Sequence, residues 1–204
     1  MSIRNPGIQK TLSHLLSQLL LLAALAMSSG CASIVASMSE PGHIDEPRDS
    51  RTFGTYIEDQ NIEVKIKANL YNADERFKDA NVTVVSYNRI VLLTGQVPNQ
   101  NLFARATQIA EKVRLVRKVH NEMTIGGPLS LTQRANDSWI STKINAHMLA
   151  TKDFPASRTQ VITEDGVVFL MGLLTENDAN WAVDIVRQIY GVKKIVKIIE
   201  YIDS

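Results

Sequence analysis

Ile90-Val91-Leu92-Leu93-Thr94-Gly95-Gln96-Val97 and Val167-Val168-Phe169-Leu170-Met171-Gly172-Leu173-Leu174 are one stretch written twice, 77 residues apart. Each is a mostly apolar run of strand length with a glycine near its end. Working outward, Asp59, Ile62, Lys65, Ile66 and Ala68 recur as Asp137, Ile140, Lys143, Ile144 and Ala146 at a shift of 78. On the other side, Val116-Arg117-Lys118-Val119 recurs as Val192-Lys193-Lys194-Ile195 at a shift of 76. A shift that drifts by one residue between blocks marks a single module copied once. Between the copies, Gly126-Gly127-Pro128 interrupts any helix or strand and reads as a hinge.

Both copies give the same order of elements. A first helix carries Ile62, Ile66 and Leu70 in one copy and Ile140, Ile144 and Met148 in the other, at helical spacing. Two strands follow, Val82–Val85 or Thr159–Ile162 and then the quoted runs, joined by Asn88-Arg89 or Asp165-Gly166. Asp-Gly between apolar runs is a strong hairpin signal, whereas Asn-Arg is weaker because arginine tolerates positive φ poorly. A second helix begins near Asn99, with Phe103, Ala106, Ile109, Ala110 and Val113 inward, or at Thr175, with Ala182, Ile185, Val186 and Ile189 inward. A last strand runs from Lys118 to Ile125 or from Lys194 to Ile202. The expected fold class is α+β: two tandem αββαβ modules, each a small three-stranded sheet with two helices packed on one face. The expected division is residues 56–126 for the first module, 127–133 for the linker and 134–204 for the second.

Residues 1–30 have Arg4 and Lys10 but no acid, then an apolar stretch from Leu15 to Met27 and the small residues Ser28-Ser29-Gly30. That is the layout of a secretory signal, and the stretch falls short of the roughly 20 apolar residues a transmembrane helix needs. The chain's sole cysteine, Cys31, stands at the expected cut. The ending resembles the lipobox of bacterial lipoproteins, with Ser28 where that motif usually has leucine, and implies that Cys31 carries acyl chains. At about 0.8 kcal/mol per buried methylene, such chains hold a protein on a membrane. Ala32 follows the cysteine, and in lipoproteins of this kind that residue implies sorting to the outer membrane rather than retention in the inner one. Residues 31–55, with Ser33, Ser37, Ser39, Pro41, Gly42 and Pro47 among charges of both signs, read as a flexible tether.

Removing residues 1–30 leaves 20 basic against 21 acidic residues, a formal charge of −1. A near-neutral protein of this kind has no general attraction for polyanions, which removes the main support for nucleic-acid binding. With one cysteine, no disulfide forms within the chain. His43, His120 and His147 form no pair at metal-ligand spacing, and no nucleophile elbow or phosphate loop occurs. No cofactor, metal site or catalytic constellation is expected. His147 is expected to be packed or half-buried beside Ile144 and Met148, and Trp181 to be a core or boundary residue. Arg114, Arg117 and Lys118 are placed to meet phosphate groups, and a solvated helix end explains them at least as well.

The duplicated helix, the apolar strand ending in glycine, the second helix and the closing Val-Lys-Lys-Ile resemble the BON domain, a module of bacterial envelope proteins. Together with the lipobox and tether, the pattern resembles a double-BON outer-membrane lipoprotein over residues 31–202. The resemblance implies a non-enzymatic protein on the periplasmic side of the outer membrane, serving envelope integrity and binding phospholipid. The alternative is an adaptor for proteins of the outer-membrane assembly machinery.

One residue gives that implication a location. On a helical wheel Trp139 lies about 140° from Ile144, outside the stripe formed by Ile140, Ile144 and Met148. Lys143, Ala146 and Ala150 fall on its side, and Lys152 and Phe154 are expected to extend that surface. An exposed indole beside a lysine suits the headgroup layer of an anionic, phosphatidylglycerol-like membrane. The aligned position of the first copy holds Asn61. The opposing reading packs Trp139 against the first module. Residues 132–204 hold eight basic and nine acidic residues, so any attraction to lipid must be local.

Overall fold

The computed structural model describes residues 51–203, so Cys31, the signal segment and most of the expected tether lie outside the described residues. The first module comprises α1 (Phe53–Ala73), the short α2 (Arg76–Asp79), β1 (Asn81–Tyr87), β2 (Ile90–Val97), α3 (Gln100–Glu111), β3 (Lys118–Asn121) and β4 (Thr124–Ile125). The second comprises α4 (Leu131–Ala150), a 3-10 turn at Ala156–Arg158, β5 (Thr159–Glu164), β6 (Val167–Leu174), α5 (Glu176–Arg187) and β7 (Lys194–Tyr201).

Capping chemistry fixes where the first helix of each module begins. Thr52 accepts the backbone N–H of Thr55, so α1 starts at Phe53, inside the stretch assigned to the tether. Ser130 and Gln133 form a reciprocal capping box, so α4 starts at Leu131. The caps at Asn99 and Thr175 stand where the sequence put them.

In each module the second strand is central. β2 runs antiparallel to β1 and parallel to β3, and β6 runs antiparallel to β5 and parallel to β7. The closing strand of the first module is broken where one strand was expected. Asn121 turns its side chain inward, donating to the Phe103 carbonyl and Thr107 Oγ1 while accepting from Met123 N, which interrupts the ladder. The repeated glycine is a close-approach residue. A Cβ on Gly95 would lie 1.7 Å from the Asn81 carbonyl oxygen, and one on Gly172 would lie 2.5 Å from that of Arg158.

Both hairpins turn through two residues of positive φ, Asn88 (49°) and Arg89 (64°), or Asp165 (47°) and Gly166 (73°). The first forms despite its arginine because a buried carboxylate grips it. Asp59 on α1 accepts from Ser86 Oγ and Arg89 N at 2.7 Å and from Asn88 N at 2.9 Å, with Arg51 Nη1 at 3.2 Å. Asp137 on α4 accepts from Asp165 N and Gly166 N, each at 2.8 Å. Hydrogen bonds to a charged group contribute about 1.5–3 kcal/mol.

Alternation along the central strands divides the interior into three layers. Val91, Leu93 and Val97 face α1 and α3, while Val168 and Leu170 face α4 and α5. Leu92 points the other way and meets Phe169, Met171, Leu173 and Ile198 in a third core that the two sheets share. The modules therefore pack sheet to sheet, with their helices outermost. Fully burying a large apolar side chain contributes about 1.5–3 kcal/mol, so this shared core outweighs the polar links around it. Those links are nonetheless specific. Tyr87 Oη donates to the Arg158 carbonyl at 2.9 Å, and Gln96 Nε2 donates to Glu164 Oε1 at 2.7 Å. Arg117 donates twice to Glu200, at 2.8 and 3.0 Å, where Asn88 Nδ2 also donates. Arg117 is thus an inter-module partner rather than part of a solvated helix end.

The join expected to be a hinge is tied on both sides. Gly126 N donates to the Val97 carbonyl, and Leu129 N donates to Gln96 Oε1.

Candidate functional site

The face of α4 turned away from Ile140, Ile144 and Met148 carries the residues singled out by the sequence. Trp139 is 46 % exposed, on a surface that packs against neither core. Lys143, one turn on, holds its Nζ 4.5 Å from the centre of the indole ring, a cation–π contact at the i,i+4 spacing of a helix. Ala146 and Ala150 are exposed on the same side, and Lys152 is exposed just beyond the helix.

Phe154 does not join this surface. It is 8 % exposed, belongs to the core of the second module, and meets Trp181 edge-to-face with ring centres 5.5 Å apart. The chain turns inward at Asp153, whose φ of 63° redirects the loop and carries Phe154 under the helices. Trp181, 37 % exposed, sits at the boundary as expected. His147 is exposed, not packed, because its place at the rim of the buried stripe lets the ring swing to solvent.

The structure adds one residue that the wheel reading passed over. Leu149 is 77 % exposed and lies about 80° from Trp139 around the helix. Arg134, near the start of α4, lies on the other side of the helix beside Glu164. The signal for Leu149 was present in its offset from Met148, but a stripe drawn through the two alanines stops short of it.

Local charge resolves the objection from composition. The only carboxylate of α4 is Asp137, which is buried and spent on the hairpin turn. The exposed Trp139 side of α4 therefore presents Lys143 with no acid of its own helix beside it, although Asp153 follows Lys152 in the loop. The first helix of the first module differs: it holds Asn61 at the place of Trp139 and carries Glu58 and Glu63 besides Asp59.

Perturbed titratable groups lie elsewhere and serve the fold. Burial raises the Glu63 carboxyl, which accepts from Ser86 N, and burial lowers His120. Among the described residues no group of three or more His, Cys, Asp or Glu side chains is placed to hold a metal ion, and no helix is long and apolar enough to cross a membrane.

The model of the BON domain matches residues 58–127 and 136–203, one match per module. The chain belongs to the BON family. This BON protein aligns with "Outer membrane lipoprotein DolP" of Haemophilus influenzae at 38% identity, over 95% of this chain and 100% of that protein. It also aligns with "21 kDa hemolysin" of Actinobacillus pleuropneumoniae at 34% identity, over 81% of this chain and 85% of that protein. "Osmotically-inducible protein Y" of Escherichia coli is 28% identical over 70% of this chain and 72% of its own length. The near end-to-end match to the first of these places the chain among outer-membrane lipoproteins with paired BON modules.

Proposed function

We propose that this outer-membrane lipoprotein docks its second BON module on anionic phospholipid through the exposed face of α4, and in doing so supports the integrity of the envelope without catalysing a reaction. The observation that carries this reading is Trp139, half exposed with the Lys143 ammonium over its ring, on a helix surface free of carboxylates. An indole settles at headgroup depth, where its apolar body and N–H are both satisfied. The lysine next to it meets lipid phosphate without leaving the ring, and each such cation near an anionic surface contributes about 1 kcal/mol. Ala146 and Ala150 keep the helix surface flat enough to approach the headgroups, and Leu149 adds apolar area at its flank.

The anchor makes weak docking sufficient. With acyl chains on Cys31, the short stretch of sequence between it and Arg51 keeps the module close to one leaflet. The effective concentration then replaces intrinsic affinity.

Vesicle co-sedimentation of residues 46–204 tests the proposal. Binding to phosphatidylglycerol vesicles, weakened by salt and lost in Trp139→Glu, is the expected result. Absence of binding, or binding that survives Trp139→Glu, overturns lipid docking.

A further inference from the structure

The sheet of the second module ends in a strand with nothing beside it. In the order β5-β6-β7, the whole length of β7 is laddered to β6 on one side, and among the described residues no strand pairs with its other side. Its C-terminal half is approached by the first module, where Asn88 and Arg117 reach Glu200. The N-terminal half, Lys194–Lys197, instead borders an open groove of about 590 Å³ between β7 and α5.

The walls of this groove have one dominant sign. Val183, Val192 and Ile195 supply apolar surface, and Arg187, Lys194 and Lys197 supply cations. Lys194 and Lys197 make no ion pair among the described residues, and Arg187 reaches only the exposed Asp184, at 3.5 Å. An exposed pair of that kind contributes little and yields readily to a better partner.

The first module shows what the duplication has changed. At the aligned place its groove has Glu111 instead of Arg187, shrinks to about 300 Å³, and has its arginine, Arg117, committed to Glu200. Its edge strand is broken after Asn121, which leaves only four residues in β3. One edge of the pair is thus short and mixed in charge, and the other is continuous and basic.

We propose that the N-terminal half of β7 accepts an extended, acidic segment of a partner protein by strand addition. Backbone N–H and C=O groups of Lys194–Lys197 would pair with the incoming strand, carboxylates would meet Arg187, Lys194 and Lys197, and alternate apolar side chains would lie on Val183 and Ile195. The same lysines repel a second copy of this edge, so the charge that admits an acidic strand also discourages self-association. This site is separate from the α4 surface and does not depend on it.

The probe is a labelled, capped octapeptide of alternating glutamate and valine, titrated into the full-length chain in a zwitterionic detergent and read by fluorescence anisotropy. Expected are saturable binding, a loss of at least tenfold in the Lys194→Glu/Lys197→Glu double variant, and a similar loss when alternate peptide nitrogens are methylated, since that removes the ladder. Hydrogen exchange at β7 should slow when the peptide binds. Trp139→Glu should leave peptide affinity unchanged, so that failure here and failure of lipid docking are told apart. No binding, or binding indifferent to N-methylation, overturns strand addition. So does a double variant that keeps its peptide affinity but loses its affinity for phosphatidylglycerol vesicles, which would make the groove a headgroup site.

Discussion

The Asp137 carboxylate, carried on the first helix of the second module, accepts the backbone N–H of Gly166 in the hairpin turn at 2.8 Å. Asp59 repeats the relationship with Arg89 at 2.7 Å in the first module. Both carboxylates are buried, so each holds a helix against a turn with bonds that water does not compete for. This contact also orients α4, and thereby decides that Ile140 faces inward and Trp139 outward.

Asp137→Ala leaves the N–H groups of Asp165 and Gly166 without their acceptor. An unsatisfied buried group costs about 1–3 kcal/mol, and the Gly166 N–H is the buried one of the two, so the variant should lose roughly 1–3 kcal/mol of stability, measured by urea unfolding. A loss below about 0.5 kcal/mol would show that the turn holds without the clamp.

Thr94 presents the opposite case. Its Oγ1 is buried with no hydrogen-bond partner among the described residues, on the side of β2 that faces the other sheet. Thr94→Val keeps the shape and removes the stranded hydroxyl, and should raise stability by about 1 kcal/mol. Thermal unfolding checks this, and a lower melting temperature would contradict it.

Glu164 joins the two modules through its bond from Gln96, and its burial raises its carboxyl above the ordinary value. The Gln96 bond opposes that shift, while Asp137 and Asp165 add to it. Because the folded value lies above the unfolded one, ionised Glu164 penalises the folded state, and stability falls as pH rises through the interval between the two values. Glu164→Gln keeps an acceptor for Gln96 and cannot ionise. It should gain stability over the parent at pH 7 and lose that advantage at pH 4, as read by denaturant unfolding at the two pH values. Glu200 runs the other way. Its bond from Arg117 lowers its carboxyl, so its contribution persists above the ordinary glutamate range and disappears as acid takes the pH through the lowered value.

The repeat, the element order and the caps at Asn99 and Thr175 were legible because each rests on local spacing. The outward direction of Trp139 was legible for the same reason, since a helical wheel needs only the buried stripe opposite. Phe154 was misplaced because its burial depends on where the loop turns at Asp153, a tertiary fact with no periodic signature. The shared core was written in the chain but not read. Val167–Leu174 lacks the polar alternation of a strand with one wet face, which means that both of its faces are covered. Once the two sheets are packed together, Gly126-Gly127-Pro128 is held by Val97 and Gln96 and loses the freedom its composition suggested. Asp59 and Asp137 were visible as a repeated pair, but their role needed the hairpins folded back beside them.

The most direct test follows the indole itself. With Trp181→Phe, Trp139 is the only tryptophan of the chain, and the full-length protein can be held on phosphatidylglycerol vesicles whose acyl chains carry bromine. The account predicts that Trp139 emission shifts to shorter wavelength, is quenched by the brominated chains, and recovers when the vesicles are made of phosphatidylcholine instead. Emission that stays at its aqueous position and is untouched by bromine, in a chain shown to be on the vesicle, would contradict it.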